Sequence, residues 1–444
     1  MRVVEGLSRL GVFTHAVLTL IADDGYPVSV ATGFRVVDDT IELDPVSVGE
    51  WFLLQPSGSK VHLTFSHIRP RPGVGYDERN YVEFAGILDS SASRWRFRPA
   101  SARGWAESDI PFLELCERAL PQGRRYLASL SQERRIEVKP RMSRGLLFFV
   151  ATRLPFLTAT LVPVVLGVAA AAYERHFNFG LAALTLAGGI AVHLGLNVAN
   201  DVFDSLSGAD EQNVNPTMFS GGSRVIQYGL ISLRQMAALS VVFYGIAAAS
   251  GLLLVVLVGP GLLWLGLAGI LISVFYTAPP IRLVHRGLGE IAVALGFGPI
   301  MVLGAYYVQT GHYALRPLVL SIPVALLVML ILYANEIPDR GPDAKAGKRT
   351  LVVRMPRETV ISGYVVSVAL AYIALVVGVV LRLLPWPTLI ALVTIPLAVQ
   401  TTRGLRRDYN DPYALMPSLQ KNILLHLATG VLMALGTLLA IPFG

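Results

Sequence analysis

Nine long runs of mainly apolar residues recur in the last two thirds of the chain, at about 147–172, 179–199, 236–258, 261–277, 289–308, 317–334, 359–381, 385–401 and 422–442. A helix that crosses a bilayer needs about 20 such residues, because its backbone polar groups find no water there and must bond within the segment. The runs therefore predict an all-α polytopic membrane bundle of about nine transmembrane helices, the fourth of them short. Composition agrees, since 53% of the 444 residues are hydrophobic and 15% charged, which is too apolar for an ordinary soluble protein of this size. Residues 1–120 carry no comparable run. The chain is thus expected to hold a soluble domain (1–120), a basic juxtamembrane linker (121–145) and a membrane domain (146–444).

Charge sets the topology. With the N-terminus inside, the segments after the second, fourth, sixth and eighth runs share the inner side. They carry Arg224 and Arg234, then Arg282 and Arg286, then Arg340, Lys345, Lys348, Arg349, Arg354 and Arg357, then Arg403, Arg406, Arg407 and Lys421. The outer connections offer little beyond Arg175, Arg316 and Arg382. This positive-inside asymmetry predicts a multi-pass protein of the cell membrane, its first domain cytoplasmic and its C-terminus outside. The opening residues have no sustained apolar core or small-residue cleavage site, so no cleaved signal peptide is expected. The net charge of +7 comes from basic residues beside apolar segments rather than from one solvated stripe, so no nucleic-acid partner is expected. The basic residues from Arg124 to Arg144 are expected to lie along anionic headgroups of the bilayer. With Cys116 as the one cysteine, neither an intrachain disulfide nor a cysteine cluster for zinc or iron is possible.

The chemistry is carried by an acidic motif that occurs twice. Near the inner end of the second run stands Asn200-Asp201-Val202-Phe203-Asp204, extended to Asp210, and near the inner end of the sixth stands Asn335-Glu336-Ile337-Pro338-Asp339, extended through Asp343 to Gly347-Lys348-Arg349-Thr350. The recurrence four runs apart suggests a duplicated four-helix unit facing itself across a central cavity, plus one further helix. On a helix Asn335, Asp339 and Asp343 fall at i, i+4 and i+8 and share a face, as do Asn200 and Asp204. Two opposed carboxylate faces at a membrane boundary repel each other and are costly to desolvate, so they call for cations. Mg²⁺ takes a few carboxylates together with phosphate oxygens and water. Arg224, Arg282, Lys348 and Arg349 stand ready to neutralise the remaining charge of a diphosphate.

These residues resemble the UbiA superfamily of intramembrane aromatic prenyltransferases over about residues 145–444. The runs NVANDVFDSLSGAD (197–210), FSGGSRVIQ (219–227) and NEIPDRGPDAKAGKRTLVVR (335–354) are similar to the branch that includes 1,4-dihydroxy-2-naphthoate polyprenyltransferases of menaquinone synthesis. Where the ubiquinone-type motif carries its second Asp this chain has Gly208, with Asp210 two residues later, which favours the naphthoate branch. The resemblance implies Mg²⁺-dependent transfer of a polyprenyl group from its diphosphate to an aromatic acceptor. It implies metal binding by Asn200, Asp204, Asp339 and Asp343, with Asp210 either ligating metal or capping its loop. It further implies catalytic roles for Asp201, Asp204 and Asp339, with Asp201 and Glu336 supporting or activating the acceptor. Substrate contacts are implied for Asn197, Asn200, Arg224, Tyr276, Arg282, Asn335, Lys348 and Arg349. The polyprenyl tail would lie in an apolar groove between spans, and exclusion of water would protect the allylic cation.

Residues 1–120 alternate apolar and polar in strand fashion, as in His15–Ile21, Val28–Val30, Thr40–Leu43 and Val61–Phe65, with Asp24-Gly25 as a turn. A small antiparallel β-barrel is expected. HAVLTLIADDGYPVSV, VHLTFSHIRP and YVEFAGIL resemble the flavin-binding split barrel of the pyridoxamine phosphate oxidase type, which would imply FMN or a deazaflavin. His15, His62 and His67 read as packing or surface residues. Rival functions are a secondary transporter, against which the acids sit at run ends rather than mid-membrane, and prenyl transfer to 4-hydroxybenzoate, haem, a chlorophyll-type pigment or a lipid.

Overall fold

A computed structural model describes residues 1–21, 27–44, 59–71, 75–90 and 94–441. Its contacts divide the chain into two units, Met1–Ala119 and Leu120–Gly444.

In the first unit a short helix α1 (Val3–Ser8) precedes seven strands: β1 (Ala16–Ile21), β2 (Pro27–Thr32), β3 (Phe34–Val37), β4 (Thr40–Leu43), β5 (Ser59–Arg71), β6 (Gly75–Asp89) and β7 (Trp95–Ala106). Every pairing is antiparallel, in the order β2-β1-β5-β6-β7-β4-β3. β2 and β3 lie at opposite edges of this order, yet only Gly33 separates them in sequence, so the sheet must roll until its edges meet. Two contacts bind that corner: Thr32 Oγ1 donates to the Asp44 carbonyl at 2.7 Å and the Asp44 amide donates to the Gly33 carbonyl at 2.9 Å. The rolled half-barrel buries the period-two apolar face read from the sequence, including Leu18, Ile41, Leu43, Leu63, Phe65, Phe84 and Phe97. Phe65 packs edge-on against Phe34 and Phe84 with ring centroids 4.7 and 5.9 Å away. His62 is on the outer face beside Glu83, 3.2 Å away. The expected Asp24-Gly25 turn lies outside the described residues.

Helix α2 (Phe112–Arg134) and helix α3 (Arg144–Ala151) lead to the apolar helices α4 (Leu154–Tyr173), α5 (Phe179–Ser207), α6 (Leu233–Val258), α7 (Gly261–Thr277), α8 (Gly289–Thr310), α9 (Leu315–Lys345), α10 (Arg357–Val380), α11 (Trp386–Arg407) and α12 (Met416–Leu439). Among the described residues eight of these are long and apolar enough to cross a membrane. The expected fourth span, α7, has 17 residues and falls short by length. The expected first span, 147–172, is two helices. They break at Arg153, whose backbone is left-handed at φ 53°, ψ 47°, a conformation that costs a non-glycine residue about 1 kcal/mol or more. The two motif helices overrun their expected ends. At 29 and 31 residues and about 1.5 Å per residue, α5 and α9 exceed a hydrocarbon core of about 30 Å, so their acidic ends extend beyond the apolar run.

Close helix approach and buried polar links hold the bundle, as expected where apolar burial against lipid contributes little. A Cβ on Gly167 of α4 would stand 2.4 Å from the Val302 carbonyl oxygen of α8 and 2.8 Å from Ala305 Cβ. Asn422 of α12 ties two further helices, accepting from Tyr364 Oη of α10 at 2.7 Å and donating to the Leu330 carbonyl of α9 at 2.7 Å.

Candidate active site

The acidic ends of α5 and α9 face one another across a cavity of about 150 Å³. From α5 the wall takes Asn197, Asn200 and Asp204, and from α9 Asn335, Glu336, Asp339 and Asp343. The i, i+4, i+8 spacing read from the sequence is what puts Asn335, Asp339 and Asp343 on one face. Asp204 Oδ2 accepts from Asn200 Nδ2 at 2.9 Å and from Lys348 Nζ at 3.2 Å, while Lys348 Nζ also stands 3.7 Å from Asp343 Oδ1. Burial opposes charge on the Lys348 ammonium, but the Asp204 and Asp343 carboxylates outweigh it and hold the amine protonated above the usual lysine range. One lysine therefore bridges the two motifs.

A loop from the first half closes over the second. Asn213 Nδ2 donates to Asp339 Oδ1 at 2.9 Å, and the Gly221 amide donates to Asp339 Oδ2 at 3.0 Å. The Gly221-Gly222 pair is required here twice over. Both residues are left-handed, at φ 77° and 76°. A Cβ on Gly221 would meet Asn213 Nδ2 at 2.6 Å, and one on Gly222 would meet Asp210 Oδ1 at 2.8 Å. Only glycine lets this backbone approach the acids so closely.

Further contacts brace the wall, with Arg153 and Asp210 themselves lining the cavity. Arg153, turned inward by its left-handed backbone, pairs with Asp201 Oδ1, and the Ser223 amide donates to Asp201 Oδ2 at 3.1 Å. Arg224 donates to the Asp210 carbonyl, and Gln227 Nε2 approaches Asp210 Oδ2 at 3.4 Å. Burial, reinforced by Asp204 and Asp201, pushes the Asp210 carboxyl well above the usual carboxylate range.

Sequence reasoning placed Asn197, Asn200, Asp204, Asp210, Tyr276, Asn335, Asp339, Asp343 and Lys348 at the site, and all nine line this cavity. Four others do not. Asp201 has both oxygens engaged behind the wall, Arg224 holds a backbone carbonyl, and Arg282 and Arg349 are exposed at the surface. Arg282 precedes the helical turn Leu283–Arg286 and Arg349 follows the left-handed Gly347, local geometry that spacing alone does not reveal. Reasoning from sequence passed over Arg153, His193, Asn213 and the Gly221 amide. Arg153 carried a usable signal, being a charge at the head of an apolar run.

A second, apolar cavity of about 200 Å³ adjoins the first. It runs between α5, α6, α7 and α8, and the two share His193, Leu196, Tyr276, Val293 and Phe297. An acid-lined chamber that opens into an apolar one suits a ligand with a charged head and an apolar tail.

The sequence profile of the UbiA prenyltransferase family matches residues 160–439. The chain belongs to the UbiA prenyltransferase family. This UbiA chain is 29% identical over 293 residues to the 2-carboxy-1,4-naphthoquinone phytyltransferase of Synechocystis sp., covering 65% of this chain and 92% of the relative. It is 27% identical over 300 residues to the 1,4-dihydroxy-2-naphthoate octaprenyltransferase of Bacillus subtilis, covering 67% and 94%. A solved UbiA homologue from Archaeoglobus fulgidus, bound to DMAPP and Mg²⁺, is 15% identical, with 64% of this chain and 98% of that chain covered at a TM-score of 0.47. All three matches fall short of the full chain length.

Proposed function

We propose that this chain transfers a polyprenyl group from its diphosphate to 1,4-dihydroxy-2-naphthoate or a closely similar quinone precursor, with Mg²⁺ as cofactor. The observation that carries the reading is the pair of acid-bearing helix ends facing each other at the mouth of an apolar chamber, in a chain whose curated relatives act on naphthoate-type acceptors.

The residues present fit Mg²⁺. The donor set is carboxylate and amide oxygen, which suits a hard cation, and Asp204 Oδ1 is buried with no protein partner. Among the described residues no three acidic or histidine side chains close around one point, because Lys348 and Asn200 draw in Asp204 while Asn213 and Gly221 hold Asp339. Such a half-built set matches Mg²⁺, which takes many of its oxygens from phosphate and water. Asn200, Asp204, Asp339 and Asp343 would hold it, with Asp210 nearby. Bound there, it would neutralise charge on the diphosphate. Lys348 places an ammonium beside the departing phosphate oxygens. The apolar walls keep water from the allylic cation. The tail lies along the second chamber.

The test is transfer of a labelled polyprenyl diphosphate to a panel of aromatic acids by the purified full chain in detergent, with Mg²⁺ or with a chelator. Chelator-sensitive transfer to the dihydroxynaphthoate supports the reading. Transfer to 4-hydroxybenzoate alone moves the acceptor, and no binding or cleavage of the diphosphate turns the reading toward a transporter.

Tail length gives an independent check. Gly266, Gly296 and Gly304 line the apolar chamber, and a Cβ on any of them would meet nothing within 4 Å. Helix-interior glycine costs about 1 kcal/mol relative to alanine, and packing here does not require it, so ligand volume does. Gly304→Leu should lower transfer from a long polyprenyl donor by about tenfold while sparing a two-isoprene donor. Equal rates with both donors would place the tail elsewhere.

The proposed topology has nine spans with α7 among them, the N-terminal unit cytoplasmic and the C-terminus outside, on the positive-inside argument. Cys116 is exposed and is the one cysteine. An impermeant maleimide should therefore label inverted membrane vesicles and not intact cells; labelling of intact cells inverts the topology. A flavin or deazaflavin in the first unit is supported by its rolled antiparallel sheet alone, and purified protein without flavin absorbance would remove it.

A further inference from the structure

The carbon that leaves the diphosphate and the ring carbon that receives it must meet where the polar and apolar chambers join. Of the side chains at that joint, His193 has no part in anything above. It lies on α5, two turns before Asn200, and is 4% exposed. Its Nδ1 is 2.7 Å from Thr160 Oγ1 of α4, and its ring stands edge-on to Phe297 with centroids 4.9 Å apart at 65°. These two contacts fix the plane of the imidazole. Among the described residues Nε2 has no protein partner.

His193 lines both chambers, and an acceptor nitrogen that opens on largely apolar walls gains most from a donor carried by the ligand. The prenyl chain has no hydrogen-bonding group. The diphosphate is drawn toward Lys348 and the cation that the acids would hold. The remaining candidate is the hydroxyl of the aromatic acceptor.

We propose that His193 Nε2 accepts a hydrogen bond from a ring hydroxyl of the acceptor, with Nδ1–H donating to Thr160, and so fixes which ring carbon faces the prenyl carbon. This rests on the prenyl-transfer reading. In the step itself the ring's electron pair forms the new C–C bond, the C–O bond breaks with its pair leaving on diphosphate, and the carboxylate at that ring carbon then leaves as CO₂, its bonding pair returning to the ring. The hydroxyl keeps its proton throughout. Its bond to Nε2 strengthens as positive charge builds on the ring, which favours the transition state over the ground state.

The experiment compares wild type with His193→Phe and His193→Gln, using a labelled prenyl diphosphate with 1,4-dihydroxy-2-naphthoate and each of its mono-O-methyl ethers. Wild type should discriminate sharply against one ether. His193→Phe keeps the contact with Phe297 and removes the nitrogens. It should lower kcat/KM for the dihydroxy acid by about tenfold to a hundredfold, leave the rate with that ether unchanged and keep the KM for prenyl diphosphate within about twofold. His193→Gln should recover part of the loss. An equal loss with every acceptor, or a rise confined to the KM for diphosphate, would overturn the proposal. A wild-type enzyme silent toward every acceptor would overturn the functional reading itself, and this one with it.

Discussion

Asp204→Ala and Asp339→Ala should each lower prenyl transfer by about a thousandfold or more. Asp204 receives Asn200 and Lys348 on one oxygen and leaves the other, buried, without a protein partner. Asp339 receives Asn213 and the Gly221 amide, one on each oxygen. On the proposed reading, removing either carboxylate would take away a cation ligand and the anchor of a neighbouring donor together. Electrostatic groups acting on a departing anion in a water-poor site carry losses of about 10²–10³ for a single donor, and a charged ligand shared by cation and lysine should exceed that. The two residues serve one cluster, so the double variant should be little worse than either alone. Steady-state transfer and retention of labelled prenyl diphosphate by the same preparations check this. A variant within tenfold of wild type would remove its residue from the reaction.

The second large effect concerns stability. Arg153 and Asp201 form an ion pair with side chains 21% and 2% exposed. Truncating one partner of such a pair leaves an uncompensated buried charge and costs about 3–5 kcal/mol. Arg153→Met should accordingly lower the unfolding temperature in detergent by several degrees and weaken transfer, because Asp201 also holds the Ser223 amide of the loop that closes over Asp339. Adding Asp201→Asn removes the stranded charge and should restore much of the stability. An unfolding midpoint unchanged by Arg153→Met would show that the pair contributes nothing.

What the sequence reveals of this site follows from periodicity. Asn335, Asp339 and Asp343 were legible because α-helical spacing alone puts them on one face, and Asn200 and Asp204 because they repeat it. Arg153 was legible as a charge at the head of an apolar run but not as a partner of Asp201, which depends on a backbone break, and His193 was not legible because its position depends on how α4 crosses α5. The Gly221 contribution is a backbone amide and leaves no side-chain trace; the paired glycines were visible, but their target was not. In the first unit the alternation in β4 and β5 announced strands, whereas the roll of the sheet came from a long-range order that pairs β4 with β7 and β1 with β5. The shortness of α7 was legible as well, since the run 261–277 read from the sequence is the helix that forms after Pro260.

Asp339 has a donor on each oxygen, and Asp204 and Asp343 share Lys348. On the proposed reading, arrival of a cation with its diphosphate would be an exchange of partners rather than the filling of an empty seat. The measured affinity is the difference between new bonds and those given up. A bare divalent ion, which brings no oxygens to occupy Lys348, Asn213 and the Gly221 amide, gains little from that trade. The ion and the diphosphate together compensate every donor displaced, so each should bind far more tightly in the presence of the other.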